Sequence, residues 1–286
     1  MRRFIKAGVN FYLDSKSAYF IRFLAIILVL NSHTDIYGNP YGFGGQIGNG
    51  LFFVLAGKFF KENYNSILKI CTLYFILNIF SLLLSFFSES VYPRIISLWF
   101  INALIIYYLV DYFAKKFKFK FTPIIMLTLM LIYMISLYYN DFNNIERVFS
   151  HKLIFYSIFY ILGKKLKKDF SFNIFLYIGV ILYIPAALNE IGNYSDVIQQ
   201  ISSVAVVLFI IKIISINLDS WLNKVYPQKI IKVLSLLSLD IYFWQVFLII
   251  HQERLNLNIT LFLLLVLIFS IISNWFTKIT LRYLQI

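Results

Sequence analysis

Cysteine and charge are what this sequence has least of. A single cysteine, Cys71, stands among 286 residues, which excludes a disulfide framework and any metal site built from thiolates. It falls inside an apolar run and reads as a small packing group. Charged residues make up 14% of the chain and hydrophobic residues 60%, with a mean hydropathy of +0.79. No soluble core of this length needs so much apolar surface. No soluble domain, linker or fixed-period repeat interrupts the pattern, so one polytopic membrane domain over residues 1–286 is expected. No cleavable leader is expected either, because Met1 to Ser17 is basic and polar and the first apolar run lacks a small-residue cleavage pattern.

What is present is a series of long apolar runs parted by lysine clusters or asparagine-rich turns. They lie at about 18–33, 46–60, 66–87, 95–113, 121–139, 148–163, 171–189, 197–216, 233–251 and 259–277. The fold class expected is an all-α integral membrane protein of about ten transmembrane helices with both termini cytoplasmic. The second and sixth runs are short for a full crossing, which suits tilted or re-entrant segments.

Acidic residues are also scarce, 13 against 26 basic ones, leaving a net charge of +13. Such an excess can signal nucleic acid, but its distribution excludes that partner. With the termini inside, 21 basic residues fall in cytoplasmic segments, the groups at Lys58 to Lys69, Lys115 to Lys120, Lys164 to Lys168 and Lys212 to Lys232 among them. Only Arg94, Arg147, Lys152 and Arg254 fall outside, and Arg22 lies in the first apolar run. That asymmetry is the positive-inside rule, and it orients the chain in a cytoplasmic membrane with the lipid bilayer as its first partner. Binding of anionic lipid or of an anionic cofactor is a secondary use of the same loops.

Arg22 and His33 are the residues this pattern makes expensive. A charge at bilayer depth costs on the order of 2.5–3.5 kcal/mol, so it usually faces a protein interior or a wet cavity. Eleven helical steps bring the two side chains to one face, roughly 16 Å apart along the axis. A snorkelling arginine and a hydrated terminal histidine are the plainer reading, and the shared stripe counts against it. Between the first two runs, Asp35 to Gly50 carries six of the eleven glycines, a density suited to irregular backbone. It reads as an ordinary outer loop, or as one that dips beside His33 and offers the amides of Gln46 and Asn49 to a polar ligand. Asp35 reads as a solvated carboxylate or as an acceptor-orienting one.

Further along, Trp99 and Asn102 share a helix face and can supply a ring and an amide to a sugar, although a tryptophan near an interface is often an anchor. Asp240 is a carboxylate inside the ninth run, a candidate by cost alone, with pairing to a nearby lysine as the alternative. His151 and His251 fall at outer ends and read as interfacial. The 31 phenylalanines and 21 tyrosines read chiefly as lipid-facing and interfacial packing.

Arg22, ten residues, then His33 resembles the Arg-x10-His signature of the membrane-bound acyltransferase family 3, enzymes that modify bacterial surface glycans. Gly50-Leu-Phe-Phe-Val-Leu-Ala-Gly57 is similar to that family's Phe-Phe-x-x-Ser-Gly segment. Leu98-Trp-Phe-Ile-Asn-Ala-Leu104 resembles its Leu-Trp-Phe stretch, and Ser238-Leu-Asp-Ile-Tyr-Phe-Trp-Gln245 a late Ser-x-x-Ile-Tyr-x-x-His stretch. This chain departs from the pattern at Ala56 in place of Ser, at Gln245 in place of His, and at Ser66-x-x-Lys69 in place of a cytoplasmic Arg-x-x-Arg. The resemblance implies acetyl-CoA as co-substrate and a surface polysaccharide or lipid-linked oligosaccharide as acceptor, with no metal. With that donor and acceptor, His33 and Arg22 are the catalytic candidates, Arg22 and Lys69 the donor-binding ones, and Asp35, Gln46, Asn49, Trp99 and Asn102 the acceptor-binding ones. The rival reading is a transporter or flippase of lipid-linked glycan, whose intramembrane Arg and His line a path; a structural subunit leaves their stripe unexplained.

Overall fold

In a computed structural model, residues 15–34, 44–60, 64–87, 99–118, 131–132, 149–166, 174–187, 195–225, 228–255 and 258–283 are described. Every regular element among them is helical, as the composition requires. The helices are α1 (Ser15–Thr34), α2 (Gly45–Phe59), α3 (Tyr64–Phe87), α4 (Trp99–Lys116), α5 (Phe149–Lys165), α6 (Ile174–Ala187), α7 (Ser195–Val225), α8 (Gln228–Leu236), α9 (Ser238–Leu255) and α10 (Ile259–Tyr283). They coincide with the apolar runs read from the sequence, except that the run at 121–139 lies outside the described residues apart from 131–132. The ninth run is two helices, broken at Leu237.

The chain forms two compact units. In the first, α2 packs against α1, α5 and α7, and α7 packs against α1 and α6. Glycine makes those contacts close. A Cβ on Gly57 would overlap the Tyr160 carbonyl of α5, and a Cβ on Gly163 of α5 would overlap the Val54 carbonyl of α2. The two backbones therefore touch, as small residues allow where helices pack among apolar neighbours. On another face of α2, a Cβ on Gly48 would come 2.6 Å from the Ala25 carbonyl oxygen of α1, and on the side that meets α5 one on Gly50 would come 2.8 Å from the Phe159 ring and 2.9 Å from a Val207 methyl of α7. The glycine-rich stretch was expected to be irregular. From Gly45 onward it is helix, and among the described residues of the stretch Gly44, at φ 103°, uses a left-handed conformation, in the turn that opens α2.

The second unit holds α3, α4, α9 and α10, with α10 against α9 and α3, and α3 against α4. Asn258 starts α10 by accepting the Leu261 N–H on its Oδ1 at 2.9 Å. This helix is 25 residues, about 37 Å, long enough and apolar enough to cross a membrane. Its faces are inverted relative to a helix of a soluble protein. The buried stripe is Phe262, Val266, Ser270, Ser273 and Thr277, while Leu264, Leu267, Ile268, Ile271, Ile272 and Trp275 are exposed. The buried hydroxyls return to the helix's own carbonyls, Ser270 to Val266 at 2.6 Å and Thr277 to Ser273 at 2.9 Å.

Replacing Gly163 with Val should force α2 and α5 apart and cost about 2 kcal/mol or more. Gly45→Ala, opposed only by the movable Ser32 side chain, should cost distinctly less. Thermal unfolding of the full chain in detergent reads both; equal losses would mean the backbone contact carries no special weight.

Candidate functional site

The argument from Arg22 and His33 needed one unbroken helix across both positions, and α1 supplies it. Its inaccessible core residues are Ile21, Ala25, Ile26 and Val29. By helical register, position 22 falls between Val29 and Ile26, and position 33 falls about 20° further round the same side. Arg22 is half-buried there. The stripe borders the seam that α2 occupies, since Gly48 lies against Ala25 and Val29 and Gly45 against Ser32. The side chain of His33, and Asp35 altogether, lie outside the described residues.

Gln46 and Asn49 stand in the opening turns of α2, not in a dipping loop. Gln46 is half-buried. Asn49 is 9% exposed, and its Oδ1 has no hydrogen-bond partner among the described residues. Helix α2 thus brings an unsatisfied amide oxygen into the same unit as the α1 stripe. An amide oxygen so placed can accept a hydroxyl proton from a ligand.

Lys69, Trp99, Asn102 and Asp240 belong to the second unit. Lys69 is exposed on α3 and Asn102 is half-buried on α4. The Trp99 indole donates to the Tyr242 hydroxyl, and Phe100 lies 4.6 Å from the Tyr242 ring, so the α4 and α9 stretches singled out in the sequence meet each other. Asp240 is 2% exposed and accepts on both of its oxygens. Ser273 donates its hydroxyl to Asp240 Oδ1 at 2.6 Å, Asn274 donates Nδ2–H to Oδ2 at 3.1 Å, and Trp244 Nε1–H donates to Ser273 Oγ at 3.1 Å. The carboxylate fastens the first turn of α9 to α10.

Several polar residues escaped the reading of the sequence. Lys212, which was assigned to a cytoplasmic loop, is 3% exposed inside α7. The same helix buries Gln199, Gln200 and Ser203, and α4 buries Asp111. Their signal was available, because each lies inside or at the edge of an apolar run where a polar side chain needs a reason. Among the described residues no group of histidine, cysteine and carboxylates could hold a metal ion.

Comparison with family profiles, with curated proteins and with solved structures found no match. Chemistry must therefore be argued from the residues. The first unit offers a cation, an imidazole-bearing position and an unsatisfied amide oxygen; the second offers amides and aromatic rings. Binding of an anion, proton transfer near neutral pH and recognition of a hydroxylated ligand are within that repertoire.

Asp240→Ala should destabilise by about 1–3 kcal/mol, because Ser273 and Asn274 lose a buried acceptor. Ser273→Ala should also destabilise, and the double variant should lose less than the sum by about 0.5 kcal/mol or more. Additive losses in thermal or denaturant unfolding would show that the three residues do not act as one network.

Proposed function

We propose that this chain is a multi-pass O-acyltransferase of the bacterial inner membrane, transferring acetyl from cytoplasmic acetyl-CoA to a hydroxyl of a surface polysaccharide or its lipid-linked precursor. The observation that carries the reading is the unbroken α1 across positions 22 and 33, with Arg22 half-buried near the α2 seam; helical register then supports a shared side for the two residues. The inverted faces of α10, and exposed apolar faces such as Tyr177, Ile178, Ile181 and Ile184 on α6, support lipid as the surrounding medium. The lopsided distribution of lysine and arginine supports ten crossings with cytoplasmic ends.

The mechanism follows from what thioester aminolysis and alcoholysis share. His33, as neutral imidazole, takes the proton from the acceptor hydroxyl; the oxygen attacks the acetyl carbonyl, and the C–S bond breaks with the electron pair leaving on the CoA sulfur, which the imidazolium then protonates. A route through an acetyl-imidazole uses the same residues in two steps. Arg22, deeper toward the cytoplasmic end, fixes the donor through its planar fork, and Lys69 adds a cation on the cytoplasmic side. Within the first unit, Asp35, Gln46 and Asn49 are the groups assigned to the acceptor.

A transporter of lipid-linked glycan is the second reading, and the break at Leu237 favours it. Lys229–Leu236 and Ser238–Ile249 together are long and apolar enough for one crossing, and discontinuous helices are a transporter device.

Membranes given radiolabelled acetyl-CoA should pass label into envelope glycan. His33→Ala should lower the rate by about 10²-fold or more with normal insertion. Arg22→Lys should raise the KM for acetyl-CoA about tenfold while sparing more of kcat. Absence of label in wild-type membranes, with unmodified glycan accumulating inside cells that lack the gene, would replace transfer with transport.

A further inference from the structure

Helix α8 is nine residues long, and its side chains fall into three sectors. At 100° per residue, Ile231 and Ser235 share one side and are buried against the protein. Exposed Ile230 and Val233 share a second side with half-buried Leu234, and exposed Lys229 and Lys232 share a third. The three directions lie about 120° apart, so what faces away from the protein is divided between aliphatic and ammonium groups. Leu236, in the last position, falls on the lysine side. A helix that crosses a bilayer turns aliphatic groups outward along its length, as α10 does without a charge from Ile259 to Thr277. On α8 the lysines and the aliphatics occupy the same turn, 229 to 233. That division places the helix axis along a boundary between water and hydrocarbon.

Two contacts give the depth. Lys232 Nζ lies 6.0 Å from the centre of the Tyr19 ring, in the second turn of α1, just beyond the basic stretch Arg2 to Lys16. In the second unit, Leu237, which follows α8, stands three residues before Asp240, and Asp240 is bonded to Ser273 and Asn274. Next along α10 come Trp275, Lys278 and Arg282. An aromatic ring with basic residues just beyond it marks a membrane–water interface, and the excess of lysine and arginine makes this the cytoplasmic one.

We propose that α8 lies in the plane of the cytoplasmic leaflet, with Ile230 and Val233 in the acyl-chain boundary and Lys229 and Lys232 on the phosphates of anionic phospholipid. Phosphate above hydrocarbon is the order in which the two outer sectors are arranged, and the lysines supply the opposite charge. The break at Leu237 is then the turn from surface to crossing rather than an interruption within one crossing. This inference rests on the bilayer reading made above and not on the acyl-transfer chemistry.

Quenching by brominated acyl chains tests it. In the full chain carrying Cys71→Ser, a fluorophore is attached at Val233→Cys of α8 or, as control, at exposed Ile271→Cys of α10. The vesicles mix phosphatidylcholine and phosphatidylglycerol, with one lipid brominated at a time. Both positions should be quenched, and at 233 phosphatidylglycerol should be preferred by about fivefold or more, since one lysine near an anionic surface is worth about that factor. Lys229→Gln with Lys232→Gln should bring the preference to about one, whereas Lys229→Arg with Lys232→Arg should keep it, and added salt should weaken it. Quenching at 271 but not at 233 overturns the in-plane helix and leaves the bilayer reading standing; quenching at neither removes both. Equal affinity for the two lipids overturns the anionic assignment. If the glutamine variant then raises the KM for acetyl-CoA about tenfold, the lysines belong to the donor's phosphates instead.

Discussion

The first unit depends on the backbone contact between α2 and α5 at Gly57 and Gly163. Two carbonyl-bearing backbones touch there with no side chain between them. Any added Cβ would have to displace main chain, which cannot rotate away as a side chain can. The same helix turns Gly48 toward α1 and Gly50 toward Phe159 and Val207, so one thinned helix holds three neighbours. The position of α2 fixes where Asn49 lies, and its seam with α1 fixes the border of the Arg22 stripe. The site proposed here inherits its geometry from glycine.

The second unit is held differently. Its close contacts are hydrogen bonds and rings: Asp240 gathers Ser273 and Asn274, Ser273 accepts from Trp244, and Trp244 lies 4.9 Å from the Phe269 ring while Phe80 lies 5.3 Å from Phe276. In an apolar setting such polar contacts gain from the absence of competing water. Asp240 thus serves as a staple between α9 and α10.

Much of the architecture could be read directly. Long apolar runs bounded by lysines specify helices because only a helix satisfies every backbone group without a partner segment. The Arg22 to His33 spacing needed nothing beyond helical continuity. Less legible was the glycine-rich stretch, since high glycine density suits both irregular backbone and close helix packing, and a single chain pattern does not say which neighbour approaches. Lys212 was misplaced for a related reason: a lysine near the end of an apolar run reads as loop until the helix is seen to continue to Val225. The break at Leu237 has no proline or glycine to announce it.

By itself the sequence determined the helical class, the charge asymmetry and the place of most described helices, although α7 runs on to Val225 well past its apolar run. These follow from periodicity and transfer cost, which are local properties. Only the tertiary structure decided which polar groups are satisfied. Asp240 accepts from Ser273 and Asn274, whereas the side-chain amide of Gln245, five residues on, has no hydrogen-bond partner among the described residues. Both are polar residues on the same helix, and the difference lies in which neighbour each one faces, a relation that exists only once distant segments are packed.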